Sequence, residues 1–143
     1  MKAAILVESL TGNTLKAAEF VGANLQQLGW GITGLSKVRK PDHASIQNAD
    51  IVLIGTWTHG LFVVGQAPWG IGALGQLPAM QGKKAAVFCT FALNPAKTLD
   101  KMTSVIAGRG AEVIGGFAMN RRNLEHNAEL FATSLNAAVP TLV

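Results

Sequence analysis

The chain has 143 residues, 49% hydrophobic and 14% charged, enough apolar side chain for a core on both faces of a sheet and too few charges for a disordered segment. The formal net charge of +4 is modest and the cations are scattered without interleaved aromatics, which argues against a nucleic-acid partner. A single cysteine, Cys89, excludes an internal disulfide and a cysteine metal cluster.

Glu8 cuts the apolar run after Met1 and Lys2 short of a secretory signal, and no later stretch could span a bilayer. A cytoplasmic protein without a membrane span is expected. Residues 3–7 form an apolar strand that runs into the turn Ser9-Leu10-Thr11-Gly12-Asn13-Thr14, with a helix predicted to begin at about Asn13 or Thr14. One hydroxyl is enough to cap a helix. Here Ser9, Thr11 and Thr14 crowd a single turn, Gly12 allows close backbone approach, and the first amides of the helix lack intrahelical acceptors. Such a neutral nest suits the phosphate monoester of a cofactor that stays bound. It lacks both the lysine of G-x-x-x-x-G-K-S/T, which follows a transferred phosphate, and the G-x-G-x-x-G turn of dinucleotide binders. Glu8 beside the nest would repel a dianion unless it faces solvent or pairs with a cation such as Lys16.

In the first helix Ala18, Val21, Leu25 and Leu28 share one face, and Gly29 stands where a left-handed residue would stop it. A weaker strand at 31–35 contains two glycines and ends in the polar stretch 36–40, as an edge strand does. After Pro41 a helical turn is expected at 45–48. Ile51-Val52-Leu53-Ile54 is a continuous apolar run like a central parallel strand, and the loop Gly55-Thr56-Trp57-Thr58-His59-Gly60 follows it. A brief helix is expected at 72–77 and a buried strand at 85–88, then a loop Thr90-Phe91-Ala92-Leu93-Asn94-Pro95. Pro95 opens a helix to about Ala107 with Leu99, Met102 and Ile106 inward, stopped by the glycines of 108–110. A fifth strand at 111–117 and an amphipathic helix at 123–138, with Leu124, Phe131 and Leu135 inward, complete the chain.

Strands alternating with helices imply an α/β fold: one domain over 1–143, a three-layer αβα sandwich on a five-stranded parallel sheet compatible with the order 2-1-3-4-5. In that order the turn at 9–14 and the loop after Ile54 open together at the switch point, where ligands gather.

The turn Ser9-Leu10-Thr11-Gly12-Asn13-Thr14 resembles the phosphate loop of the flavodoxin family, Ser/Thr-x-Thr-Gly-x-Thr after the first strand. Leu10 departs from it, standing where relatives often carry another hydroxyl. The loop at 55–60 is similar to the family's G-x-x-T-aromatic-G, with Thr58 and Gly60 matching and His59 in the aromatic place. The resemblance implies a short-chain flavodoxin-like domain that binds FMN. Ser9, Leu10, Thr11, Gly12, Asn13 and Thr14 would then hold the phosphate. Thr56, Trp57, Thr58, His59 and Gly60 would flank the ring, with the backbone at His59 and Gly60 near N5, and Thr90, Phe91, Ala92, Leu93 and Asn94 would close its far side. Trp57, His59, Trp69 and Phe91 are the candidates for stacking. No catalytic side chain and no metal ligand is assigned. A phosphorylated receiver domain shares the strand order, but Gly55-Thr56 stands where its aspartate would be.

The resemblance implies an electron carrier between a reductase and an acceptor enzyme, and the basic charge points to partners that are not themselves basic-faced and fit an acidic surface. Family members often place acids and tyrosines in the third loop. This chain has no tyrosine and no acid between Ala79 and Asp100, so addition of the second electron is expected at a higher potential than in acidic flavodoxins. Two other functions stay open: an FMN-dependent oxidoreductase acting on a quinone or similar flat acceptor, and a non-redox module that holds another phosphorylated ligand. Segment 61–75 carries Leu61, Phe62, Val63, Val64, Pro68, Trp69, Ile71 and Leu74 among glycines. It is either packing beneath the domain's own helices or an apolar wall for a partner, a flat substrate or a second subunit of a homodimer. Cys89 is read as a buried structural residue, and Arg121 and Arg122 as solvated or as an anion-facing rim.

Overall fold

The computed structural model describes residues 1–8, 12–59, 67–68, 71–92, 94–95 and 97–139, with only the backbone described at 59, 67–68 and 71–72. In chain order the strands of the parallel sheet are β1 (Lys2–Val7), β2 (Gly31–Lys37), β3 (Ile51–His59), β4 (Lys84–Phe91) and β5 (Glu112–Asn120), and a two-residue strand at Ala67–Pro68 lies off it. Between them run α1 (Asn13–Gln27), α2 (His43–Asn48) and α3 (Thr98–Gly108), and α4 (Leu124–Ala137) ends the series. All five strands pair in parallel in the order β2-β1-β3-β4-β5, the 2-1-3-4-5 arrangement expected.

Alternation along each strand builds the two cores. Ile5, Val7, Leu53 and Phe88 point to one face, where Val21 and Leu25 of α1 and Leu124, Phe131 and Leu135 of α4 cover them. Leu6, Val52, Ile54, Val87 and Cys89 point to the other, beneath Ile46 of α2 and Met102 and Ile106 of α3. Because β1, β3 and β4 are buried on both faces, their sequences read as unbroken apolar runs. β2 has no buried position and lies at an edge of the sheet.

Helix α1 stops as its glycine predicts. Gly29 is left-handed at φ 92, the Trp30 amide donates to Leu25 O (2.9 Å) and the Gly29 amide to Gln26 O (3.0 Å), the paired bonds of a Schellman end. The inner face ends one turn earlier than the periodicity suggests: Leu28 is the C-cap and is 42% exposed, because the chain turns away from the core there.

Pairing between distant segments lengthens three strands beyond their local patterns. β3 does not end at Ile54; Thr56 and Trp57 register with Cys89 and Thr90 of β4, and Thr58 and His59 pair antiparallel with Ala67–Pro68. The expected loop at 55–60 is therefore strand as far as His59. β4 likewise runs through Thr90 and Phe91, and β5 through Asn120, because those residues continue their own ladder. α3 begins at Thr98 and not at Pro95, whose carbonyl accepts from the Thr98 amide (3.1 Å) in the preceding turn. The brief helix spans Ile71–Leu74, and a 3-10 turn at Arg121–Asn123 precedes α4. Among the described residues no helix is long and apolar enough to cross a membrane.

Candidate functional site

In this strand order ligands gather at the carboxyl ends of β1 and β3, and the two strands end at different levels. Val7 registers with Gly55, the last β1–β3 pair, while β3 continues to His59. The Glu8 amide donates to Gly55 O (2.8 Å), carrying the chain one residue further. Ser9, Leu10 and Thr11, half of the expected phosphate set, lie outside the described residues.

The chain re-enters at Gly12, the N-cap of α1. Gly12 is left-handed at φ 89, and a β-carbon built on it would meet nothing within 4 Å. A glycine cap offers no side chain to the first amides, which by helix geometry have no intrahelical acceptors. The first turn also holds no acid, so the positive end of the helix dipole is not offset locally. Backbone donors, an open approach over Gly12 and a local positive field form a donor set that fits a phosphate dianion.

Behind this cap Thr14 is fully buried, and its Oγ1 lies 3.0 Å from Oγ1 of Thr90. The first turn of α1 and the end of β4 are therefore joined at one hydroxyl pair, across 76 positions of sequence. Trp57 registers with Thr90, so alternation puts it on the same face as Thr14, and Phe91 on the opposite one. Trp57, Phe91 and Ala92 are half-buried, Thr56 is fully buried and Asn94 is exposed. Leu93 and Gly60 lie outside the described residues, as does the stacking candidate Trp69, and of His59 only the backbone is described.

Thr58 behaves differently from its neighbours. Its hydroxyl lies 3.1 Å from Thr98 Oγ1 in a buried pair, turned toward α3. Cys89 hydrogen-bonds with the same threonine, but burial dominates and pushes the thiol up to about 11, an inert sulfhydryl near neutral pH. Thr98 carried no signal in the sequence, because the contact spans 40 positions.

Lys16 is not the partner of Glu8. Arg39 Nε donates to Glu8 Oε1 at 3.0 Å, the carboxylate being 11% exposed and the guanidinium 59%. Sheet pairing explains the choice: Val7 registers with Lys37 and the Val38 amide donates to Val7 O (2.8 Å), so the chain leaving β2 passes beside the chain leaving β1. The carboxylate that follows β1 is thereby paired within the fold.

Within segment 61–75, Leu74 is fully buried in the core beneath α3, the packing alternative. Residues 60–66 and 69–70, most of the proposed wall for a second subunit or flat acceptor, lie outside the described residues. Arg121 and Arg122 are exposed at the carboxyl end of the sheet.

Residues 4–133 match the family described as the flavodoxin domain. No curated protein sequence matches the chain. Among solved structures, oxidised flavodoxin 2 from Bacillus cereus superposes with a TM-score of 0.71 at 19% identity, covering 96% of this chain and 99% of that one. A mutant flavodoxin from Pseudomonas aeruginosa gives 0.69 at 18% identity, covering 96% and 98%. The two-electron reduced flavodoxin of Megasphaera elsdenii gives 0.65 at 19%, covering 92% and 98%. At such identities the structures establish the shared fold alone. The family match spans nearly the whole sheet and all of α1, and on that ground the chain belongs to the flavodoxin family, whose cofactor is FMN.

Proposed function

We propose that this protein is an electron carrier that binds FMN without a covalent link, accepts electrons from a reductase and delivers them to an acceptor enzyme. One observation carries the reading: α1 begins at a left-handed glycine that gives its first amides no side-chain cap, and β3 runs on to His59 past the end of its pairing with β1. Ser9, Thr11, Gly12, Asn13 and Thr14, with the Leu10 amide, hold the phosphate. Thr56 to Gly60 and Thr90 to Asn94 flank the ring, Thr58 through its backbone because its hydroxyl is turned to Thr98. Bound FMN supplies one- and two-electron redox chemistry, and the protein binds it, shields it and tunes it electrostatically. Cys89 takes no part, being buried and protonated, and a free cysteine suits a reducing cytoplasm.

The partner reading rests on charge. Lys37, the last residue of β2, and Lys40, Lys97, Arg121 and Arg122, which follow β2, β4 and β5, are exposed at the edge where the cofactor would lie. An acidic-faced partner is steered to such a rim, and added salt slows that association. An absorbance spectrum of the purified protein tests the cofactor reading. A flavin spectrum, or its appearance when FMN is added to apoprotein, is expected; a colourless protein that ignores FMN overturns it.

A further inference from the structure

The Thr14–Thr90 pair poses a question of direction. Each hydroxyl has one proton to give and two lone pairs, and either oxygen can be the donor across the 3.0 Å between them. Both side chains are buried, Thr14 completely, so bulk water does not set their orientation. If Thr14 gave its proton to Thr90, it would turn lone pairs toward a dianion at the start of α1. If Thr90 gives its proton to Thr14, the Thr14 proton is left for the anion.

We propose that Thr90 is a positioning residue for the phosphate: it donates to Thr14 Oγ1 and so directs the Thr14 proton into the nest. The proposal rests on the assignment of the α1 amino end as the phosphate site and adds to it a residue on the fourth strand. Thr90 suits the task because β4 is central and paired on both sides of it, with Trp57 on one flank and Met119 on the other. A β-branched side chain on that rigid strand has little rotamer freedom, so its hydroxyl is held before ligand arrives. A hydroxyl that accepts one hydrogen bond while donating to an ionised acceptor is polarised by the first, and a bond to the charged group is stronger than a neutral one. The same contact ties the phosphate turn to the strand that carries Phe91, linking the two ends of the binding site.

Fluorescence titration of apoprotein with FMN and with riboflavin tests this in Thr90→Val, Thr14→Val and the double variant. Thr90→Val keeps the shape and removes the hydroxyl. It should weaken FMN roughly five- to tenfold, leave riboflavin within about twofold, and cause no further loss in a Thr14→Val background. Thr90→Ser should restore most of the FMN affinity, because it restores the donor. If Thr90→Val does not fold, as judged by circular dichroism of the apoprotein, Thr90→Ala against Thr90→Ser makes the same comparison. The proposal is overturned if Thr90→Val spares FMN, weakens both flavins equally, or adds its full effect to Thr14→Val. If Thr14→Val itself treats the two flavins alike, the phosphate assignment fails and the relay falls with it; discrimination by Thr14→Val without discrimination by Thr90→Val removes the relay alone.

Discussion

Replacing Gly55 with alanine would place a β-carbon 2.2 Å from Cζ of Phe88, 2.3 Å from Cε2 and 2.8 Å from Cε1. Carbon atoms rest at about 3.5–4.0 Å, so the ring or strand β3 must retreat by more than about 1 Å. Little room exists for that movement. Phe88 is fully buried, its ring centroid lies 5.7 Å from that of Phe131, and Phe131 in turn lies 5.7 Å from Phe117. Overpacking a dense core costs about 1–3 kcal/mol, and this contact belongs at or above the upper end, because three ring atoms are struck at once and the neighbours are rings. Urea unfolding of the apoprotein, followed by circular dichroism, should show Gly55→Ala destabilised by about 3 kcal/mol with an unchanged slope. Trimming the obstacle should relieve it: Gly55→Ala with Phe88→Leu should be less destabilised than the sum of the single changes by at least about 1 kcal/mol. A Gly55→Ala protein within about 0.5 kcal/mol of the parent, or strictly additive effects, refutes the packing argument.

Three further outcomes follow from the site. Arg39→Ala leaves the Glu8 carboxylate without its partner beside the nest, so FMN affinity should fall by about 1 kcal/mol while riboflavin affinity holds, and Glu8→Gln in the same background should restore it; equal losses for both flavins, read by fluorescence titration, contradict this role. Cys89 is raised from 9.0 to about 11, so between those pH values the unfolded thiol loses its proton and the folded one does not. The stability this residue contributes is full below about pH 9 and declines toward pH 11 by about 2–3 kcal/mol, a decline that urea melts of Cys89→Ala should lack. Spectroelectrochemical titration of the FMN-loaded protein should give a potential for the second electron above that of acidic flavodoxins, since residues 80–99 contain no carboxylate; a very low value contradicts the electrostatic argument.

The parts legible in the sequence are those written in local patterns. The left-handed Gly29 and the amino end at Asn13 bound α1 as its capping pattern predicts, and the two-sided burial of β1 and β4 is readable from unbroken apolar runs. The alternation of strands and helices is compatible with the observed strand order, which sets β1 against β3. What could not be read depends on pairing between distant segments. Thr56 to His59 look like loop residues, because polar and aromatic types follow a glycine, yet their partners at Cys89, Thr90 and Ala67–Pro68 extend the strand. Arg39 reaches Glu8 only because β2 runs parallel to β1, whereas Lys16 is nearer in sequence. The hydroxyl pairs Thr14–Thr90 and Thr58–Thr98 have the same origin: no spacing rule joins residues 76 and 40 positions apart.

The most direct test of the account is titration of apoprotein with FMN and riboflavin in the parent and in Thr11→Ala with Thr14→Ala. The phosphate assignment predicts that FMN binds more tightly than riboflavin, and that the paired substitution weakens FMN by roughly 2 to 4 kcal/mol while riboflavin changes little. Equal affinities for the two flavins in the parent, or equal losses in the variant, would contradict it.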